Sequence, residues 1–118
     1  MLVGMTDIDL RGPSIWILTV LAQGRRHGYG VLEEARRISG GAVELRIATL
    51  YTSLDRLAES GLVVADGDEA VDGRLRRYFR ITDAGAERLA LEAAKLEATA
   101  AAARRALRSG SAAKVVVA

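Results

Sequence analysis

The segment from Ala48 to Leu62 holds the side chains best suited to chemistry, because hydroxyl groups and a guanidinium recur there at helical spacing. Its apolar residues recur every three or four positions and can be buried together on one side of a helix: Ile47, Leu50, Leu54 and Leu57. The polar residues fall on the opposite side, which we expect to be exposed: Thr49, Thr52, Ser53 and Arg56. Such side chains can enter a DNA major groove and donate to phosphates or base edges. The pattern is therefore typical of a DNA-reading helix; the alternative is an amphipathic helix whose polar face contacts only water.

The basic residues of this chain are nearly all arginine, although the net charge is only +2. Arginine pairs with phosphates and guanine edges through two parallel hydrogen bonds. Four arginines lie close together in one strand-like stretch: Arg74, Arg76, Arg77 and Arg80. The distribution of charge therefore points to nucleic acid more clearly than the total does.

Several classes of function lack the residues that they need. The chain has no cysteine and a single histidine, His27, so we expect no thiol nucleophile and no metal site. No nucleophile with an adjacent base, no paired carboxylates and no cofactor loop occur at a recognisable spacing, so we expect neither an enzyme nor a cofactor. The apolar run from Ile15 to Ala22 is too short to span a bilayer, and the amino terminus lacks the features of a secretory signal. We expect a soluble cytoplasmic protein.

Hydrophobic periodicity predicts three helices followed by a β-hairpin over residues 13–81. An arm over residues 1–12 precedes a helix from Pro13 to Gln23, which is apolar around most of its circumference. A turn with an exposed His27 leads to a second helix, whose Tyr29 we expect to pack on the first and which ends at Ile38. After the third helix we predict a β-hairpin, in which one strand ends at Ala65 and the next begins at Arg74. The loop between them is acidic, and we expect its negative charge to be repelled by DNA phosphates.

A fourth helix is predicted from Thr82 to Arg108, because Thr82 can cap it and an acid follows. Ser109-Gly110-Ser111 should end it, and we expect residues 109–118 to be disordered. A seam of apolar residues repeats at intervals of four and three, as in a coiled coil: Leu89, Ala93, Leu96, Ala100, Ala103 and Leu107. So small a domain offers this seam no partner, which predicts a homodimer built on residues 82–108.

Three helices and a hairpin are the element order of a winged helix-turn-helix, and this mainly α (α+β) fold is the expected class. Over Leu10 to Glu92 the chain resembles the PadR family of bacterial transcriptional regulators. The resemblance lies in three blocks: HGYGVLEEA from His27, ATLYTSLDRLAESGLV from Ala48, and GRLRRYFRITDAG from Gly73. It implies a homodimeric repressor of transcription, with inducers that are often phenolic acids or flat aromatic compounds bound near the dimer interface.

Within that framework each candidate DNA contact has a plainer alternative. We expect Arg56 to read a base edge and the Tyr51 hydroxyl to reach a phosphate, although a solvated charge and a core ring are the alternatives. Arg74 and Arg76 should contact phosphates from the wing strand, although a solvated strand edge is the alternative. Arg46, just before the reading helix, either meets a phosphate or pairs with Glu44.

Trp16 has two possible roles, since it either packs in the core or lines a pocket for a flat aromatic effector. The prediction that the protein binds double-stranded DNA also has an alternative. A winged helix can instead dock on an acidic protein, in which case it would bind any duplex weakly.

Overall fold

A computed structural model of the chain describes Leu10 and residues 12–113, with side chains described to residue 110. Three helices precede a β-hairpin, and one long helix follows it. In chain order the elements are α1 (Pro13–Gln23), β1 (Arg26–His27), α2 (Gly28–Ile38), α3 (Ile47–Glu59), β2 (Val63–Val71), β3 (Arg74–Ile81) and α4 (Asp83–Ala113). This confirms the expected winged helix-turn-helix with a C-terminal helix.

The core is aliphatic and lies where α1, α2 and α3 meet. Its fully buried side chains are Ile17, Leu18, Val20, Leu21, Val31, Ala35, Leu50, Leu54 and Leu57. Phe79 of β3 closes it from the sheet side. Leu10 is buried too, so the expected amino-terminal arm contributes to the core; residues 1–9 and 11 lie outside the described residues.

The segment expected to be a simple turn between α1 and α2 forms a strand. Arg26 pairs with Phe79 and His27 with Tyr78, which makes an antiparallel sheet in the order β1-β3-β2. Two residues are too few for a period to be recognised in the sequence, so only the pairing with β3 defines this strand. It fixes the start of α2 against the wing.

The wing is longer and tighter than the sequence predicted. β2 runs past Ala65 to Val71, with a bulge between Ala65 and Asp68, so the acidic residues lie along a strand rather than in a loose tip. The connection to β3 is the two residues Asp72 and Gly73, with φ of 51° and 75°. Positive φ at both positions is the geometry of a tight hairpin turn.

The last helix also exceeds its predicted length. The Thr82 hydroxyl accepts a hydrogen bond from the Gly85 amide at 3.0 Å, which confirms the predicted cap. The helix then continues through Ser109-Gly110-Ser111 to Ala113, so the predicted break was wrong. One interior glycine costs a helix only about 1 kcal/mol, which the preceding alanine-rich turns offset. Residues 114–118 of the expected tail lie outside the described residues.

Candidate nucleic-acid interface

The outer side of α3 presents Thr49, Thr52 and Arg56, and all three are exposed. Ser53 was expected beside them but is only 8% exposed, because it faces the first turn of α1 rather than the outside. Ile47, in contrast, was expected to be buried but is exposed. It is 48% exposed, since the first turn of α3 projects beyond the cover that buries Leu50.

Arg46 stands at the amino terminus of α3, where its extended backbone forms the N-cap and its side chain is exposed. Its carbonyl accepts the first hydrogen bond of the helix, from Leu50 at 2.9 Å. No side chain caps the helix and no acid occupies the first turn, so this positive end of the helix is available to an anion. Glu44 forms its ion pair with Arg36 at 3.7 Å, not with Arg46 as the plainer alternative held.

A groove of about 460 Å³ separates the first turns of α2 and α3 from the wing. Its lining combines aromatic, aliphatic and guanidinium groups: His27, Gly28, Tyr29, Ile47, Tyr51, Arg74, Leu75, Arg76 and Arg77. The groove thus brings the predicted site residues Tyr51, Arg74 and Arg76 together beside the exposed side of α3.

Tyr51 combines the two roles considered for it in the sequence. Its ring packs near Phe79, with centroids 6.5 Å apart, yet the residue is still 39% exposed. On its other side the ring lies against Gly28, where a β-carbon would approach Tyr51 Cζ to 2.8 Å. The contacts with Phe79 and Gly28 therefore hold the phenol at the edge of the groove, where the residue remains partly exposed.

Two exposed groove residues were not anticipated from the sequence. Tyr29 is 58% exposed, although it was expected to pack on the first helix. Leu75 is 70% exposed on β3, beside arginines on both sides. The HGYG motif is the only sequence signal that could have indicated Tyr29, since glycines on both sides leave its ring uncovered.

His27 organises the junction between α2 and the wing, and it is half-buried rather than exposed as predicted. Its Nδ1 accepts a hydrogen bond from the Gly30 amide at 3.1 Å and so caps α2. A neutral imidazole that accepts at Nδ1 carries its proton on Nε2, which lies 3.3 Å from Arg76 Nη1. Both of these nitrogens are then donors, so this contact leaves the Arg76 guanidinium free to bind an anion.

The arginines fall into two groups according to their carboxylate partners. Within the part of the chain that the structure describes, the four predicted DNA contacts form no ion pair: Arg46, Arg56, Arg74 and Arg76. Arg77 lies 4.0 Å from Asp68, and Arg80 lies 3.9 Å from Asp66. The four predicted contacts place unpaired positive charge around α3 and the outer half of β3. Among the described residues, Arg104, Arg105 and Arg108 of α4 also form no ion pair, but they lie on a different element.

The acidic residues of β2 are occupied by partners within the sheet. Asp66 pairs with Arg25 at 3.2 Å, and the Arg25 guanidinium lies 4.0 Å above the Tyr78 ring. The Tyr78 hydroxyl donates to Glu69 at 2.6 Å, and this hydrogen bond raises the pKa of the phenol. The expected repulsion of phosphate is thus weakened, because Asp66, Asp68 and Glu69 all have neutralising or hydrogen-bonding partners.

The predicted dimerisation seam lies on one side of α4. Leu89 packs on the core of its own domain, but Leu96 and Leu107 are 58% and 72% exposed. The alanines of the seam are small and line the same helix side between these leucines: Ala93, Ala100 and Ala103. Trp16 is half-buried and packs against the core, as the plainer alternative held.

The described residues include no group of three or more His, Asp or Glu side chains arranged to hold a metal ion. None of their helices is long and apolar enough to cross a membrane.

The sequence matches the model of the transcriptional regulator PadR-like family over residues 17–91, which is more than half of the chain. It is 40% identical over 72 residues to the transcriptional regulator Rv3488 of Mycobacterium tuberculosis, and 30% identical over 69 residues to an uncharacterized protein of Lysinibacillus sphaericus. These matches cover 61% and 58% of this chain, and 53% and 63% of the respective relatives. The chain thus spans less than two thirds of each relative.

Solved structures share the fold. A transcriptional regulator from Clostridium thermocellum superposes with a TM-score of 0.69 at 24% identity, covering 81% of this chain and 94% of that one. Bacillus subtilis PadR in complex with operator DNA superposes with a TM-score of 0.60 at 20% identity, covering 69% of this chain and 46% of that one. With the match to the family model, these findings establish that the chain belongs to the PadR-like family of transcriptional regulators.

Proposed function

We propose that this regulator binds double-stranded DNA as a homodimer and represses transcription from a palindromic operator. The observation that supports this most directly is the grouping of unpaired arginines around α3: Arg46, Arg56, Arg74 and Arg76. A phosphate backbone along this surface would supply the counter-charges that the protein itself does not. The Bacillus subtilis relative was solved in complex with operator DNA, which supports DNA as the partner of this regulator.

In this proposal α3 enters the major groove with its amino-terminal half foremost. Ala48 and Thr52 lie at the outermost part of this half, where their small side chains allow the helix to approach the bases closely. Thr49 lies beside them and can donate to a base or a phosphate. Arg46 and Tyr51 then reach the backbone at one side of α3, together with Arg74 and Arg76 from the wing.

The second subunit would pack along the seam of α4. Leu96 and Leu107 are exposed in the single chain, and small alanines between them permit close helix approach. Two copies related by a two-fold axis would present their reading helices to half-sites about one helical turn apart, roughly 34 Å. The exposed leucines support this arrangement, because burial would remove their apolar surface from water.

A small aromatic effector completes the proposal, bound near Trp16 at the dimer interface. The half-buried position of Trp16 leaves part of the ring for a ligand to stack on. Planar aromatic compounds should then lower operator affinity, and Trp16→Phe should reduce that response without abolishing DNA binding. If Trp16→Phe responds as the wild type does, Trp16 does not line the effector site.

The deciding experiment is selection of bound duplexes from a random pool, followed by titration of the selected duplex over a series of salt concentrations. A DNA-binding regulator should enrich one palindrome and show an affinity that falls steeply with salt. A module that docks on acidic proteins would enrich no sequence and bind every duplex weakly. That outcome would exclude the operator proposal.

A further inference from the structure

A second hollow, of about 410 Å³, lies between the first turn of α1 and α3, on the side away from the wing. It is lined by Pro13, Ser14, Ala48, Thr49, Thr52, Ser53 and Arg56. All five polar side chains of this lining can donate a hydrogen bond, since they are four hydroxyls and one guanidinium. No carboxylate is among these lining residues, so the hollow suits an anion.

The two serines of this hollow are buried yet lack partners. Ser14 and Ser53 are each 8% exposed. Within the described part of the chain neither hydroxyl forms a hydrogen bond, and neither oxygen is sealed from solvent. Because the oxygens can be reached from the hollow, water or a ligand there can supply the missing partner. Both hydroxyls therefore have hydrogen bonds to offer to a group that enters the hollow.

The amino terminus of α1 contributes further donors at the same place. Its N-cap is Gly12, no side chain caps the helix, and its first turn has no acid. Pro13 has no N–H, but the amides that follow it in the first turn lack partners within the helix. The positive end of the helix dipole thus adds to the charge of Arg56.

We infer that this hollow binds one phosphate group of the DNA backbone, next to the base pairs that α3 reads. Ser14 and Ser53 donate hydrogen bonds to its oxygens, and Arg56 pairs with its charge. The inference rests on the proposed function, and it makes α1 part of the DNA interface. It also assigns Arg56 to the backbone rather than to the base edge expected from the sequence.

The test compares Ser14→Ala and Ser53→Ala with Ser60→Ala, a matched control at the far end of α3. Dissociation constants are measured for the selected operator and for a scrambled duplex, over a series of salt concentrations. Each hollow variant should weaken both duplexes by the same factor, about threefold to tenfold, because one hydrogen bond to an anion is lost. The salt dependence should not change, since a hydroxyl carries no charge. Ser60→Ala should bind as the wild type does.

Two variants that change the charge of the hollow test the phosphate assignment further. Arg56→Ala should also weaken both duplexes and should lower the salt slope by about one, as expected for one neutralised phosphate. Ser53→Asp places a carboxylate in the hollow and should weaken binding more than Ser53→Ala. Thermal unfolding of each variant verifies that the fold is retained.

The inference is overturned if folded Ser14→Ala and Ser53→Ala variants bind both duplexes as tightly as the wild type, or lose affinity for the operator alone. Inorganic phosphate is titrated against the free protein as a separate arm. If it binds in a serine-dependent way while duplex affinity is unchanged in the serine variants, the hollow takes free phosphate and the backbone assignment is wrong. Failure of the proposed function differs from these outcomes, because the wild type itself would then select no operator.

Discussion

The ring of Tyr51 fills the space that a side chain at Gly28 would require. A β-carbon built on Gly28 lies 2.8 Å from Tyr51 Cζ, closer than real β-carbons approach a ring carbon. Gly28 is the first residue of α2 and Tyr51 lies in α3, so this contact sets how closely the two helices approach. The requirement for glycine here comes from the neighbouring ring, because Gly28 is not among the residues with positive φ.

Gly28→Ala should therefore displace the phenol, destabilise the fold by about 1–3 kcal/mol through overpacking, and weaken DNA binding. The same substitution in a Tyr51→Ala background should destabilise the fold much less, because the ring is absent. A double-mutant cycle on unfolding free energies measures this coupling. Equal losses in both backgrounds would show that the Tyr51 ring is not the reason for the glycine.

Arg76 and Arg80 lie on the same strand but should respond differently to replacement by alanine. Arg76 has no carboxylate partner among the described residues, so Arg76→Ala should weaken binding to every duplex and lower the salt slope by about one. Arg80 lies 3.9 Å from Asp66, so Arg80→Ala should change the slope less. Fluorescence anisotropy across a salt series provides the comparison, and equal slopes for the two variants would contradict it.

Glutamates placed in the seam of α4 should separate the subunits. Ala93→Glu with Ala100→Glu introduces charges between the exposed leucines, and monomers should appear in analytical ultracentrifugation. Ala94→Glu with Ala98→Glu is the matched control, because those exposed alanines lie on the other side of the helix. A seam variant that remains dimeric, or a control that dissociates equally, would place the interface elsewhere.

The Tyr78 phenol should ionise at higher pH than a free tyrosine, because its hydrogen bond to Glu69 raises the pKa. A group with a raised pKa in the folded state favours its protonated form. Its contribution to stability is therefore complete below the unfolded-state pKa, and is lost as the pH rises through the folded-state value. Glu69→Gln should lower the pKa of Tyr78 toward the ordinary value, as followed by tyrosinate absorbance. Tyr78→Phe should remove the late transition; if it remains, another tyrosine is responsible.

Much of the secondary structure followed from local patterns in the sequence. The apolar spacing of Leu50, Leu54 and Leu57 predicted both α3 and its buried side, since a helix of this period must bury one stripe. Likewise, Pro13 and Thr82 marked helix starts, because the fixed φ of proline and the capping hydroxyl of threonine both act within one turn. The order of these elements predicted the fold class, and the three blocks within them indicated the family.

Contacts between distant segments decided what these local patterns could not. β1 exists only because β3 pairs with it, and the acidic stretch continues β2 because arginines on β3 and in the β1 region lie opposite Asp66 and Asp68. Ser53 was assigned to the outer side by its polarity, but the first turn of α1 covers it.

The helices and the strands of the wing could be located from the chain alone, because helical and strand periods are properties of adjacent residues. The predominance of arginine among the cations could be seen there too. Which arginines lack partners and which hydroxyls face a hollow depended on tertiary contacts. Those properties depend on where α1, α3 and the wing come together, and no spacing along one segment encodes the distance between two others.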